Sequence, residues 1–297
     1  MHVKIRDFTE KDLPSIVELV NQAYAGTHEF TPYTADRIQE GVVEGNFKVL
    51  VAEEDEKIAG SVSYRNGHWG ENIEWLAVAE ETRRRAIEKE LVQEIEKQVK
   101  GEKVFTAVDE NSPKIGDWVE RGYKPEGGLY HMVAELTAPE PLPKVSEGII
   151  LRSLRPEEEK EFVETVNAGF GWERLEMGII HRWKTECPPF DEEWVHVAET
   201  DNKIVSAVAS RPDVEFNEFF QGNRGYLGPA ATLPEYRGKH VASALTLRAM
   251  NHLLEMRMTS ASLYTSEQNT TSIGLLLNLG FRKAHLWKFM RKNLQKT

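Results

Sequence analysis

The chain repeats itself, and that constraint precedes every motif. Residues 49–58 (VLVAEEDEKI) align without a gap on residues 195–204 (VHVAETDNKI), an offset of 146. The same offset lays Ile5-Arg6 over Leu151-Arg152 and Asn21-Gln22-Ala23-Tyr24 over Asn167-Ala168-Gly169-Phe170. Further along, Asn111 with Gly122-Tyr123 matches Asn269 with Gly280-Phe281, 11 residues from Asn to Gly in both. Four matches in chain order imply two copies of one fold, and 297 residues are enough for both. Between the copies, Pro139, Pro141 and Pro143 fix φ and remove backbone donors, which makes that segment a linker. The expected organisation is a first domain at 1–138, a linker at 139–147 and a second domain at 148–297.

Periodicity gives both copies the same order of elements. A short strand (3–6; 149–152) precedes an amphipathic helix (13–24; 158–170) and then a hairpin (47–53 with 57–64; 194–200 with 203–210). A further strand (72–78; 226–232) leads into a long helix. There Ile87, Leu91, Ile95 and Val99 recur every four residues, as do Val241, Leu245 and Ala249 in the second copy. Another strand (103–108; 260–265), a helix ending at the Gly and a last strand complete each unit. This is an α+β, or mixed α/β, pattern and not a regular βαβ repeat.

Charge and composition exclude several partners. Residues 1–145 carry 18 Lys and Arg against 28 Asp and Glu, whereas residues 146–297 carry 19 against 20. A strongly acidic half in a chain with a formal charge of −11 disfavours nucleic acid as a partner, because neutralising phosphates needs a basic face. The nearly neutral half could still hold an anionic ligand at a local basic spot. No apolar run approaches the ~18–20 residues that cross a bilayer, so no membrane partner is expected. The first residues lack an apolar secretory core, and the chain reads as cytoplasmic. A single cysteine, Cys187, excludes an internal disulfide and a multi-cysteine metal site, and no metal is expected.

The stretch with most chemical content is the strand-to-helix junction of the second copy, residues 232–245 (TLPEYRGKHVASAL). A helix start leaves its first N–H groups unpaired and carries partial positive charge, so it suits a phosphate. Gly238, Ala242 and Ala244 are small enough to let an anion reach the backbone, and Arg237 and Lys239 add positive charge. The first copy offers residues 80–91 (EETRRRAIEKEL) instead. That loop has no glycine, and Glu88 and Glu90 stand where the second copy has small residues, so it is not expected to bind an anion.

The junction resembles the pyrophosphate loop of the GCN5-related N-acetyltransferases, whose pattern is Arg/Gln-x-x-Gly-x-Gly/Ala. Residues 269–281 (NTTSIGLLLNLGF) resemble that family's later Asn…Leu-Gly-Phe helix, in family order. The resemblance covers residues 149–292, and residues 3–136 resemble a second, degenerate copy, the arrangement of the tandem, mycothiol synthase-like members. It implies a mixed, mostly antiparallel sheet splayed between its fourth and fifth strands, with the pantetheine of acyl-CoA, expected to be acetyl-CoA, in the gap. It assigns Ala230, Ala231 and Thr232 to the pantetheine and thioester. Arg237, Gly238, Lys239, His240, Val241, Ala242 and Ser243 fall to the phosphates, and Asn269 to the pantetheine arm. The implied activity is acyl transfer to a small-molecule or peptide amine by direct attack in a ternary complex. A non-catalytic acyl-CoA-binding regulatory module is the alternative.

Two positions depart from the family. His240 stands where glycine is usual, and Leu276 replaces the tyrosine often found near the departing sulfur. Amines are mainly protonated near neutral pH, so attack on a thioester needs proton removal. Tyr226, on the fourth strand, and Glu267, after the fifth, are the catalytic candidates. His196 alternates with Val195 and Val197 and is expected to face solvent. Cys187 is expected outside the cleft, which disfavours an acyl-enzyme. The aromatics Phe170, Trp172, Trp183, Phe190 and Trp194 are expected to be mostly core, at the border of the acceptor side.

Overall fold

Helical spacing and strand alternation lay down the same succession twice. The computed structural model describes residues 3–45, 47–67, 70–79 and 84–295. The first half runs β1 (Lys4–Asp7), α1 (Leu13–Tyr24), α2 (Ala35–Val43), β2 (Lys48–Glu54), β3 (Lys57–Gly67), β4 (Gly70–Val78), α3 (Arg84–Gln98), β5 (Lys103–Asp109), α4 (Lys114–Glu120) and β6 (Lys124–Glu135). The second runs β7 (Ile150–Ser153), α5 (Glu159–Phe170), α6 (Ile179–Glu186), β8 (Val195–Thr200), β9 (Lys203–Pro212), α7 (Val214–Phe220), β10 (Arg224–Thr232), α8 (Val241–Glu255), β11 (Ser260–Ser266), α9 (Thr270–Asn278) and β12 (Arg282–Asn293). Among the described pairings, β1–β2, β2–β3, β3–β4, β5–β12, β7–β8, β8–β9 and β9–β10 are antiparallel while β4–β5 and β10–β11 are parallel, giving a mixed, mostly antiparallel α/β architecture. No helix among the described residues is long and apolar enough to cross a membrane.

The two compact units do not coincide with the expected domains at 1–138 and 148–297. One unit is Met1–Leu129 with His285–Thr297, and the other is Tyr130–Ala284. In the first, the strand order is β1-β2-β3-β4-β5 followed by the 285–293 part of β12. That segment pairs antiparallel with β5, from Trp287 opposite Asp109 to Asn293 opposite Lys103. Met290 is fully buried there, the Phe289 and Phe105 rings lie 5.1 Å apart, and Lys292 Nζ reaches Glu96 at 2.8 Å. In the second unit, the 130–135 part of β6 lies beside β11, followed by β10, β9, β8 and β7. Met132 and Ala134 enter that unit's core, and the Leu136 amide donates to the Thr259 carbonyl at 2.9 Å. Each unit therefore takes its sixth strand from the other repeat. Hydrophobic alternation specifies that a strand exists but not which of two similar edges it joins.

The repeat extends to an ion triad that anchors the first strand in each unit. Arg6 holds Asp12 at 2.7 Å and Glu53 at 2.8 Å. Arg152, 146 residues on, holds Glu158 at 2.7 Å and also Glu199. Hydrogen bonding to the Arg6 guanidinium holds the Asp12 carboxyl at about 2.

His196 does not face solvent. It is 1% exposed, because β8 lies between β7 and β9 while α8 covers the face that carries its ring. Its ring lies 5.3 Å from that of His252 on α8, and neither His196 nitrogen has a hydrogen-bond partner among the described residues. Burial, with His252 and Arg248 nearby, pushes its pKa well below the ordinary value, and burial also lowers that of His252. The unfolded chain therefore binds more protons than the folded one below the unfolded pKa of ~6.5, and stability falls as pH drops through that value. Chemical denaturation between pH 7.5 and 5 should show the loss, by up to ~1.4 kcal/mol per pH unit for each histidine, and His196→Met should make the slope shallower. A stability that is flat over this range would refute it.

Candidate active site

The parallel register of β10 with β11 covers Arg224–Tyr226 opposite Ser260–Ser262. Beyond Tyr226, among the described residues, β10 is paired with β9 alone, with a register shift between Leu227 and Ala230. Arg211 on β9, opposite Tyr226, fixes this bulge: its Nη1 donates to the Gly228 carbonyl at 2.6 Å. Further along, Ser206 Oγ donates to the Ala231 carbonyl at 2.9 Å and lies 2.7 Å from Thr232 Oγ1. The splay expected between the fourth and fifth strands is thus present in the second unit, and one edge of 227–232 faces a gap.

The gap leads to the start of α8. Gly238 has φ +75, and a Cβ built there would meet nothing within 4 Å, so the loop is open at that position. His240 adopts φ 60, the left-handed conformation that glycine takes without strain. The backbone course is kept despite the side chain, at a cost of roughly 1–2 kcal/mol. The Ala244 amide makes the first helical bond, to the His240 carbonyl at 3.0 Å, so the amides of Val241, Ala242 and Ser243 precede the helical ladder. Ser243 Oγ donates back to the His240 carbonyl at 2.8 Å. Arg237 is used in shaping the loop, with Nε donating to the Thr232 carbonyl at 3.1 Å and Nη2 to that of Gly169 at 2.8 Å. Gly169 suits this place because a Cβ on it would come within 2.9 Å of the Ala231 Cβ, so α5 can lie close on β10. Lys239 is exposed, with Nζ 4.8 Å from the Tyr236 ring centre.

The remaining candidates divide by environment. Asn269 is the N-cap of α9, its side-chain oxygen accepting from the Ser272 amide at 3.1 Å. Glu267 is half-buried in the turn between β11 and α9. Burial pushes the Tyr226 phenol above its ordinary value, so near neutral pH it holds its proton and can donate a hydrogen bond. Leu276 is in the core. Cys187 caps the end of α6, where burial pushes its thiol up, away from the thiolate a nucleophile needs. Trp183, Phe190 and Trp194 are core, whereas Phe170 and Trp172 remain exposed with rings 5.7 Å apart.

The first unit answers the same geometry differently. Leu76 lies opposite Val62 as Ala230 lies opposite Val208, so the two are equivalent by register. The Leu76 amide donates to the hydroxyl of Tyr24 at 3.0 Å. Lys114 Nζ covers the Tyr24 ring at 4.5 Å and donates to the Ala23 carbonyl at 3.2 Å. Glu88, expected to project toward the loop, is buried between Arg84 and Arg121 as an ion pair. Glu80–Arg83 of that loop lie outside the described residues. In the second unit Phe170 stands where the first has Tyr24 and carries no hydroxyl. The Ala230 amide accordingly meets no side-chain acceptor among the described residues. The Tyr24/Phe170 difference was visible in the aligned repeat, but its meaning needs the register of the strand beneath it.

Comparison with known proteins matches both halves. Residues 151–281 and residues 7–114 each match an acetyltransferase (GNAT) domain family. A mycothiol acetyltransferase of Thermobispora bispora is 29% identical over 160 residues, which are 52% of this chain and 54% of that protein. The chain thus matches about half the length of this curated relative. Among solved structures, a GCN5-related N-acetyltransferase of Sphaerobacter thermophilus aligns over 99% of this chain and 96% of its own, with TM-score 0.71 and 18% identity. A tandem GNAT protein of the clavulanic acid biosynthesis pathway aligns over 100% of both chains, with TM-score 0.68 and 14% identity. These two show the fold alone.

Tyr24→Phe should test the plugged gap. It leaves the Leu76 amide without its acceptor, and the melting transition should shift by an amount corresponding to about 1–3 kcal/mol. An unchanged melting temperature would mean that water satisfies the amide and the tyrosine is dispensable.

Proposed function

The chain belongs to the acetyltransferase (GNAT) family in both of its halves, and on that premise we propose that it is an acetyl-CoA-dependent N-acetyltransferase whose single active site lies in the Tyr130–Ala284 unit. The observation that carries the reading is the difference between the two gaps. The Ala230 amide has no side-chain acceptor among the described residues and the Gly238 position beyond it is open, while the Leu76 amide is covered by Tyr24.

In this reading the amides of 238–243 and the Lys239 ammonium hold the pyrophosphate at the start of α8. Arg237, tied to two carbonyls, sets the loop's shape. Along β10 the Ala230 amide orients the thioester, and the Ser206 bonds keep Ala231 and Thr232 in place. Asn269 holds the start of α9 beside the pantetheine arm. The acceptor nitrogen attacks the acetyl carbonyl carbon, the C–S bond breaks, and CoA leaves as thiolate while an amide forms. The nitrogen's proton passes to Glu267, directly or through water. Tyr226, holding its own proton, is the available donor near the site, a role that buried Leu276 cannot fill. Orientation and backbone polarisation supply much of the acceleration. The acceptor is a small-molecule or peptide amine, and the Met1–Leu129 part is a structural copy.

Leu276 at the place of the family's tyrosine favours one rival, an acyl-CoA-binding module without turnover. Thiol release from acetyl-CoA across an amine panel decides between them, because a module binds acetyl-CoA but releases no thiol beyond the blank.

Calorimetric titration of the intact chain with acetyl-CoA should saturate near one equivalent. Gly238→Glu with Ala242→Glu should abolish that binding by placing two carboxylates at the start of α8 while the circular dichroism spectrum is kept. Two equivalents, or unaltered affinity in the double variant, would overturn the assignment.

A further inference from the structure

One side chain ties the bulge of β10 to the phenol beside it. Arg211 stands on β9 opposite Tyr226, with Cζ 4.4 Å from the Tyr226 ring centre and 5.3 Å from that of Trp183. Both rings are within cation–π range of the guanidinium. Its Nη1 donates to the Gly228 carbonyl at 2.6 Å. Gly228 in turn carries the phenol, since a Cβ built on it would lie 3.4 Å from Tyr226 Cε1 and 3.8 Å from the Tyr226 hydroxyl oxygen. Its φ of +141 is one that glycine takes without strain. The phenol hydroxyl therefore lies beside the bulge, two residues before Ala230.

The first copy shows the same place without a phenol. Arg65 lies 146 residues before Arg211 and opposite Asn72, at a point where β4 also shifts register against β3. Counted back from the equivalent residues Leu76 and Ala230, Asn72 falls on Tyr226 and Glu74 on Gly228. Arg65 is paired with the Glu74 carboxylate at 2.9 Å. The second copy keeps the arginine, replaces that carboxylate by a glycine carbonyl, and sets a phenol against the guanidinium. Burial raises the proton affinity of this phenol, and the Arg211 charge acts against it. Arg174 and the Tyr264 backbone act with Arg211, while Asp213 opposes them and is itself held by Arg224 at 2.8 Å. A guanidinium suits this place because it is planar, stays charged, and can stack while it donates.

We propose that Arg211 is a positioning residue for acetyl transfer, fixing the β10 bulge that precedes the Ala230 amide and holding the Tyr226 phenol against that bulge as proton donor to the leaving sulfur. The inference rests on the acetyl-transfer reading and gives Tyr226 its partner. As the C–S bond breaks, its electron pair stays on sulfur, and the thiolate takes the phenol's proton. The phenolate left on Tyr226 is steadied by the guanidinium until solvent returns a proton, while the proton of the amine goes to Glu267.

The test uses the intact chain, acetyl-CoA and the best amine of the panel. Arg211→Met, and the milder Arg211→Lys, should each lower kcat by at least about tenfold, the scale of one charge-assisted hydrogen bond. The Kd for acetyl-CoA by calorimetry should stay within about threefold, because the start of α8 is untouched. Tyr226→Phe, which removes one oxygen, should cost a similar factor in kcat. The double variant Arg211→Met with Tyr226→Phe should be no slower than the slower single one, since residues that act as a unit do not add. An unaltered kcat in Tyr226→Phe or in the Arg211 variants, or losses that multiply in the double variant, overturns the proposal and leaves acetyl transfer standing. If acetyl-CoA binds but no amine releases thiol, the transferase reading fails, and the hold of Arg211 on the phenol is decided without turnover. The chain is then labelled with 3-fluorotyrosine, whose phenol is more acidic, and the Tyr226 fluorine resonance is assigned by its loss in Tyr226→Phe. That resonance should titrate about one pH unit higher in Arg211→Met. An unchanged midpoint overturns the pairing.

Discussion

A strand that parts from its neighbour leaves amides that something else must satisfy. That requirement arises in this chain where β10 leaves β11 beyond Tyr226, and most of the second unit's local chemistry follows from it. The bulge after Leu227 turns the strand, Arg211 pins the turn, and Gly169 lets α5 lie close enough for its Gly169 carbonyl to receive Arg237. The first unit meets the same requirement at Leu76 with a tyrosine hydroxyl. An unsatisfied buried amide costs on the order of 1–3 kcal/mol, so one hydroxyl group is enough to separate a strand whose amide is covered from one whose amide has no side-chain acceptor.

The first helix of each copy was legible in the sequence almost to the residue. Ile16 and Val20 recur at helical spacing and are buried in α1, and Phe162, Val163 and Val166 do the same in α5. The hairpins were equally plain, since strict alternation ends at polar turns where Asp55, Glu56, Asp201 and Asn202 take positive φ. The junction at 237–243 was legible because its chemistry is local: a glycine, small residues and a helix start. What was not legible depends on partners distant in the chain. The short helices α2, α6 and α7 give too few turns for a periodic signal, and His196 is covered by a helix far along the sequence.

The family resemblance raised a doubt at His240 that the backbone answers. A non-glycine residue adopts the left-handed turn there, so the helix start keeps its form and the imidazole projects from the rim. At Leu276 the structure adds a reason to the substitution: the side chain fills the core beneath α9, where a phenol would need a hydrogen-bond partner. In the proposed reaction the leaving sulfur then needs another donor, and burial keeps the proton on Tyr226.

The exchanged strands also set an order of events during synthesis. The segment 285–293 that completes the first unit is translated only after all of Tyr130–Ala284. Until then β5 presents an open edge with Phe105 beside it, a template for pairing with any other extended chain nearby. The second unit, by contrast, receives its borrowed strand before any of its other strands exist. A growing chain of this design can finish its later half first and must leave its earlier half waiting, so the acidic half is the part most in need of protection while it is made.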